Sequence, residues 1–121
     1  MKPRGRPQKY RFVHHDPRIR QFSPRGRPGR PDETDLGVDE VEALRLADSM
    51  GMSQKDASKL MKISQQTFSR IVRRARKKVA DALSHGRLIR IKGGQYVLDT
   101  HHNFPHKSFV KSPWDEPKQE A

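Results

Sequence analysis

The chain has no cysteine, and this absence limits the chemistry that it can carry. Without thiols there are no disulfides, no thiolate zinc site and no cysteine nucleophile. No apolar run approaches the ~18 residues of a membrane-spanning helix. The basic N-terminus also lacks the apolar segment of a secretory signal. We therefore expect a cytoplasmic protein with no membrane partner.

Hydrophobic residues are scarce as well, at 31% of 121 residues, whereas 33% are charged. This composition predicts one small domain with a modest core and disordered ends. Lysine and arginine number 26 against 14 acidic residues, a formal net charge of +12. Such an excess favours a polyanionic partner, and a merely solvated basic surface is the alternative.

The charge falls into three blocks along the chain. Residues 1–31 hold ten basic residues and one acid, and residues 32–60 hold eight acids against three basic residues. Residues 64–92 are again basic, with nine basic residues and one acid. If the two basic blocks face DNA, the acidic block should face away from it.

Two copies of Pro-Arg-Gly-Arg-Pro lie in the first basic block, at residues 3–7 and 24–28. The pentapeptide resembles the core of the AT-hook, whose arginines enter the narrow minor groove of A·T-rich DNA while glycine allows close approach. The alternatives are a basic arm that contacts only phosphates, or a proline-bounded loop. The residues that the minor-groove interpretation assigns to DNA are Arg4, Gly5, Arg6, Arg25 and Arg27.

Three segments before the centre of the chain carry local structure signals. Alternating runs at residues 10–13 and 19–22 predict short strands. Residues 37–51 predict a helix with Asp39 and Glu40 in its first turn, where carboxylates favour the positive end of the helix dipole. We expect this acidic helix to act as a scaffold.

The central stretch 52–83 predicts a short capped helix, a three-residue turn and a long helix. Ser53 and Asp56 have the spacing of a capping box, and Ser64 is placed to cap the long helix. Small Ser58 allows the two helices to approach, and Phe68 should lock them together. The apolar residues of the long helix step by three and four and so predict one buried stripe: Phe68, Ile71, Val72, Ala75, Val79, Ala82 and Leu83.

The other side of the long helix carries amides and guanidiniums, which suit the DNA major groove. In a helix-turn-helix, the N-terminal residues of the second helix face the base edges, and later residues meet phosphates. The predicted contacts are Gln65, Gln66, Ser69 and Arg70 on base edges, Ser64 and Thr67 beside the backbone, and Arg73, Arg74 and Lys77 on phosphates.

Two alternating runs, residues 88–92 and 95–98, flank Gly93-Gly94 and predict a β-hairpin. Beside a helix-turn-helix this hairpin would act either as a wing, with Arg90 and Lys92 near phosphates, or as a minor sheet that closes the core.

The last segment, residues 99–121, is polar and proline-rich and predicts a disordered tail. Phe109 and Trp114 are isolated aromatics there that could dock onto a partner. His101, His102 and His106 have no carboxylate or cysteine framework, and adjacent His14 and His15 would point to opposite faces of a strand. We expect no metal, no cofactor and no enzyme activity, because no nucleophile with a base or phosphate loop occurs.

The run from residue 44 to residue 83, followed by GRLIRIKGG, resembles a prokaryotic family of predicted DNA-binding proteins, domain of unknown function 134. The helix-turn-helix of that family is similar to region four of sigma factors. The resemblance covers residues 10–94, most strongly 38–94. It implies a mainly α fold with a helix-turn-helix core of three helices, a small β-hairpin and disordered termini. The domains would be a basic arm at 1–9, a DNA-binding domain at 10–98 and a tail at 99–121.

Several residues depart from the family pattern. Lys62 stands where the family usually has glycine, which would cost of order 1 kcal/mol if that position needs φ > 0. Ser69 replaces another usual glycine. The family commonly carries a cysteine near His14, and this chain has none. The chain therefore lacks the thiol that a redox or metal role at that position would need. The second Pro-Arg-Gly-Arg-Pro falls at a Pro-x-Gly-x-Pro turn of the family, which favours a turn over a minor-groove contact.

These features together predict a transcriptional regulator that binds double-stranded DNA, with a homodimer as one option. One alternative is an architectural DNA-binding protein that prefers A·T-rich sites. Another is a sigma-like module that docks on transcription machinery through an acidic face at residues 32–48.

Overall fold

A computed structural model describes residues 10–26, 29 and 31–99. Within them, five short strands and three α-helices follow the order β1 Arg11–Val13, β2 Gln21–Phe22, β3 Glu33–Leu36, α1 Val38–Leu44, α2 Gln54–Met61, α3 Gln65–His85, β4 Leu88–Ile91 and β5 Tyr96–Leu98. A π-helical segment, Arg45–Ser49, continues α1. The described part is mainly α with small β elements. The arm at 1–9, Arg27 and residues 100–121 lie outside it.

The strands form two small sheets that the chain builds by long-range pairing. In the first, β4 lies between β2 and β3, antiparallel to β2 and parallel to β3. In the second, β1 pairs in parallel with β5, so that the two ends of the described chain meet. The predicted strands β1 and β2 are confirmed, whereas no local pattern predicts β3.

The predicted β-hairpin is wrong, because β4 and β5 belong to different sheets. The glycine pair between them carries the chain past the N-terminus of α1, where the Val38 amide donates to the Gly93 carbonyl at 2.9 Å. Gly94 has φ +105°, and a Cβ added there would lie 2.5 Å from a carboxylate oxygen of Asp39. Gly94 thus serves a close approach to α1, and the glycine pair does not form a two-residue hairpin turn.

Two apolar clusters form the core, and α3 contributes to both. The first packs α1, the π-helical segment and α2 against the start of α3: Ala43, Leu46, Ala57, Met61, Phe68, Ile71 and Val72. The second packs α3 and α1 against the strands: Val13, Leu36, Val38, Ala75 and Ile91. Phe68 is fully buried and Ser58 is only 4% exposed, as predicted for the crossing of α2 and α3.

The buried stripe of α3 is confirmed up to Ala82 but not beyond it. Ala82 is 2% exposed, whereas Leu83 is 76% exposed. Leu83 follows buried Val72 by 11 residues, so the two project within about 20° of each other around the helix, but Leu83 belongs to neither apolar cluster because packed neighbours are missing at this end of α3. Leu83 is therefore a surface residue, and its inclusion in the core prediction is wrong.

Candidate nucleic-acid interface

The start of α3 is fixed by caps and by a strained turn. The Ser53 hydroxyl accepts from the Asp56 amide at 3.0 Å and begins α2. Lys62 ends α2 in the left-handed region, with φ 58° and ψ 45°. The Ser64 hydroxyl then accepts from the Thr67 amide at 3.0 Å and donates to the Thr67 hydroxyl at 2.9 Å. The predicted caps at Ser53 and Ser64 are confirmed, and Lys62 has the positive φ at which a side chain costs on the order of 1 kcal/mol relative to glycine.

A polar stripe runs along α3 opposite its buried side. Gln66, Arg70, Arg73 and Lys77 are all exposed and step by four, three and four residues, which aligns them along one helix face. Gln65 is exposed beside the stripe, and Thr67 and Ser69 are half-buried. The predicted DNA contacts of α3 thus share one end of one helix. We call Gln66, Arg70, Arg73 and Lys77 the α3 stripe.

Acidic residues engage several of the basic residues of α3. Arg76 forms a bidentate ion pair with Asp48, in which Nη2 and Nε donate to the two carboxylate oxygens at 2.8 and 3.0 Å. Lys77 lies 3.0 Å from Asp81, one turn further along the helix. Both contacts are at the surface, where such pairs contribute little to stability.

A buried carboxylate, Glu40, holds two more cations of α3. It is 3% exposed. Its oxygens accept from Arg74 Nε at 2.7 Å, from Lys78 Nζ at 2.8 Å and from the Gly37 amide at 2.8 Å. Burial pushes the pKa of Glu40 up, but these hydrogen bonds push it further down, so that the net pKa lies below its ordinary value. Glu40 therefore ties α1 to α3 in its charged form.

Two arginines of the α3 stripe differ from their neighbours. Within the described residues, Arg70 and Arg73 have no ion pair and no side-chain hydrogen bond. Their guanidiniums keep all their donors available on an exposed helix face. They are the residues of α3 best placed to bind an anion.

The acidic block at residues 32–48 is divided between the surface and the interior, because the three acids of α1 are buried and the others are exposed. Asp39, Glu40 and Glu42 are only 3%, 3% and 1% exposed. Burial raises the pKa of Asp39 above its ordinary value, although Arg11 at 3.8 Å acts against this. Glu42 accepts from Arg45 at 2.9 Å. The acidic docking face expected from the sequence is thus reduced to its outer residues, since the three acids of α1 are buried whereas the two acids of β3 are exposed.

Arg90 of β4 and Lys92, which follows β4, pair with acids of β3 at the surface. Arg90 Nη2 lies 3.1 Å from Glu33, and Lys92 Nζ lies 3.7 Å from Asp35. Without a hairpin there is no wing, and both side chains instead link β4 and its continuation to β3. Their predicted role beside phosphates loses its structural basis.

Of the two Arg-Gly-Arg segments, the structure describes only part of the second. Arg25 and Gly26 are exposed and form a turn after β2. A turn is what the likeness to a Pro-x-Gly-x-Pro segment implies. Arg4, Gly5, Arg6 and Arg27 lie outside the described residues.

The histidine pair does not form a joint site. The ring nitrogens of His14 lie 3.2 Å from the Asp99 carbonyl and 2.8 Å from the Leu60 carbonyl, while His15 is exposed. No group of three metal-binding side chains occurs within the part of the chain that the structure describes. Likewise, none of the described helices is both long and apolar enough to cross a bilayer.

Glu40 is a site residue that the sequence patterns did not predict. Its three partners include the amide three residues before it, which is the capping-box spacing with glycine at the cap position. That spacing was visible in the sequence. The contacts with Arg74 and Lys78 span 34 and 38 residues, and no local pattern reports them.

Comparisons place the chain among known sequences. A UPF0251 protein of Prosthecochloris aestuarii is 50% identical over 91 residues, covering 74% of this chain and 59% of that protein. One from Thermoanaerobacter pseudethanolicus is 47% identical over 92 residues, covering 75% and 78%. One from Desulfosudis oleivorans is 52% identical over 93 residues, covering 76% and 67%. The chain thus spans between about three fifths and four fifths of these relatives.

No solved structure shows significant similarity to the chain. The sequence profile described as "Protein of unknown function DUF134" matches residues 1–99, and the curated relatives carry the name UPF0251. The chain therefore belongs to the prokaryotic DUF134 family of UPF0251 proteins.

Proposed function

We propose that the protein binds double-stranded DNA and inserts the N-terminal half of α3 into the major groove. The observation that carries the proposal is the α3 stripe, in which Arg70 and Arg73 are exposed and have no acidic partner among the described residues. The excess of basic residues, +12 overall, supplies the attraction to a polyanion. The order of α2, turn and α3 supports the proposal, because in a helix-turn-helix the second helix reads bases.

Base recognition would come from the first turns of α3. Gln65 and Gln66 suit the N6 and N7 atoms of adenine, and Arg70 suits O6 and N7 of guanine. Ser69 lies half-buried beside them and would contribute through its hydroxyl. Each correct base contact would add about 1–3 kcal/mol of discrimination. This arrangement favours a sequence-preferring regulator of transcription over a nonspecific coat.

Phosphate contacts would come from the later turns of α3. The ion pairs that these cations already form indicate how much each should contribute to DNA affinity. Arg73 is exposed without an acidic partner in the described chain, so it should contact a phosphate directly. Arg74 already donates to Glu40 and Lys77 to Asp81. DNA would have to share or displace those carboxylates, so both should contribute less than Arg73 does. Ser64 and Thr67 are engaged in the cap of α3 and would meet the backbone only with their remaining donors and acceptors.

In vitro selection from a random double-stranded library tests the proposal directly. A recovered consensus, with protection of its major groove, is the expected result. Two inverted half-sites about one helical turn apart would mean that two copies bind. Recovery of A·T-rich sequences without a consensus would instead favour an architectural protein that depends on the arms. No enrichment at low salt would refute DNA binding.

A further inference from the structure

An apolar groove of about 1120 Å³ lies on the side of the domain formed by the β1–β2 connection, α1, the end of α3 and β4. Ile19, Phe22, Val41, Val79 and Ile89 contribute to its lining. Ile19 and Phe22 are 66% and 53% exposed, a large apolar area for a small chain with so few hydrophobic residues. Exposed apolar side chains that share one groove make it a candidate docking surface.

The groove is separate from the proposed DNA surface. Val79, which lines the groove, follows Lys77 of the α3 stripe by two residues. It therefore projects from α3 about 200° around the helix from that lysine. An occupant of the groove would not compete with DNA for the α3 stripe.

The described chain ends beside this groove. The Asp99 amide donates to the Val13 carbonyl at 2.8 Å, and His14 Nδ1 lies 3.2 Å from the Asp99 carbonyl. His15, the next residue, lines the groove. The 22 residues from 100 to 121 therefore start close to the groove, on the side where His14 reaches the Leu60 carbonyl of α2.

Those 22 residues carry side chains that match the groove in chemistry. Trp114 is the only tryptophan of the protein and is followed by Asp115 and Glu116. Arg18 lies at the groove and has no ion pair within the described residues. An indole would fill apolar space, and the adjacent carboxylates would neutralise that guanidinium.

The connection is also long enough. Fifteen residues lead from Asp99 to Trp114. At ~3.3 Å per residue they span at most about 50 Å, several times the ~13 Å radius of gyration of a domain of about 100 residues. A tether of this kind gives an effective concentration on the order of millimolar, so even a weak contact would be occupied.

We propose that residues 109–116 dock into the apolar groove of their own chain. Trp114 would lie among Ile19, Phe22 and Val79, and the acids that follow it would lie beside Arg18. The groove would then be closed by the C-terminal segment of the same chain. This proposal is independent of DNA binding, because it concerns a different face of α3.

The single tryptophan makes the test direct, since all tryptophan fluorescence of the intact chain reports position 114. Docking predicts an emission maximum at shorter wavelength than in denaturant, and quenching by acrylamide reduced at least about threefold. Ile19→Asp should restore the denatured values, because it places a charge in the groove at an exposed position. Val97→Asp is the matched control at an exposed strand position outside the groove and should leave the fluorescence unchanged.

Charge reversal provides a second arm that does not depend on the apolar variant. Arg18→Glu should raise the quenching of Trp114, and Asp115→Arg with Glu116→Arg added to it should lower the quenching again. Emission that matches the denatured chain would overturn the proposal. Protection of Trp114 from acrylamide that is unchanged in both Ile19→Asp and Arg18→Glu would overturn it as well. Protection that appears only with rising protein concentration, together with a doubled mass in sedimentation, would assign the groove to a second copy instead.

Discussion

Replacing Glu40 by glutamine tests the contact that holds α1 against α3. The substitution keeps the size of the side chain and removes its charge. Glu40 is buried and accepts from Arg74, Lys78 and the Gly37 amide. The amide can retain one of these contacts through its oxygen, but its nitrogen cannot accept from a cation. We therefore expect a loss of stability without a change of fold.

The size of the expected loss of stability follows from the hydrogen-bond partners of Glu40. Hydrogen bonds to charged groups contribute about 1.5–3 kcal/mol each, and the released cations would be partly solvated, so about 2 kcal/mol is expected. The discount applies because the side chains of Arg74 and Lys78 are 54% and 34% exposed. Urea unfolding at neutral pH, followed by circular dichroism, measures the difference as a shift in the midpoint.

The difference in stability between the wild type and Glu40→Gln should depend on pH in a definite direction. The pKa of Glu40 in the folded protein lies below 4.5, its ordinary value, because the hydrogen bonds from Lys78, Gly37 and Arg74 outweigh the effect of burial. Its contribution is therefore complete above the unfolded pKa and is lost as the pH falls through the lower folded pKa. The urea midpoints of the wild type and of Glu40→Gln should differ by a constant amount between pH 6 and 8 and converge in acid.

A matched control is available on the same helix. Asp81→Asn makes the same chemical change at an exposed carboxylate that pairs with Lys77, and it should cost no more than about 0.5 kcal/mol. Equal losses for the two variants, or curves that stay parallel down to acid pH, would refute the role given to Glu40.

Three further predictions concern the framework of α3. Gly94→Ala should destabilise by more than about 2 kcal/mol because of a carboxylate oxygen 2.5 Å from the new Cβ, while Gly93→Ala, with open space and φ +78°, should cost about 1 kcal/mol in the same urea assay. Lys62→Gly should raise the free energy of unfolding slightly, by up to about 1 kcal/mol, because it relieves a left-handed φ. Phe68→Ala should cost about 3–5 kcal/mol and Leu83→Ala less than about 0.5 kcal/mol, and comparable losses would contradict the assigned burial.

Local features of the fold were predictable from the sequence. The caps at Ser53 and Ser64 depend on a few neighbouring residues, so spacing was enough to find them, whereas only the family's usual glycine pointed to the left-handed φ of Lys62. Spacing was also enough to find the buried stripe of α3, whose period comes from the helix itself. The stripe failed only at Leu83, where the packed neighbours end and the period alone no longer reports burial.

Long-range features were not predictable in this way. Residues 88–98 look like a hairpin locally, yet β4 pairs with β3 and β2, and β5 pairs with β1. The pairing of β1 with β5 joins residues about 85 positions apart, which no local alternation encodes. The burial of Glu40 has the same origin, since two of its partners lie on another helix. Acidity alone therefore suggested an acidic surface at residues 32–48, whereas the fold buries Asp39, Glu40 and Glu42.

The central claim is that the α3 stripe reads DNA, and paired salt titrations of three arginine variants test it most directly. Arg70→Ala should weaken a selected site more than random DNA, by about 1–3 kcal/mol. Arg73→Ala should weaken both and reduce the slope of log K against log salt by about 0.9. Arg76→Ala, at an arginine bound by Asp48 on the flank of the stripe, should change neither measurably. If all three variants behave alike on both DNAs, α3 does not read DNA through this stripe.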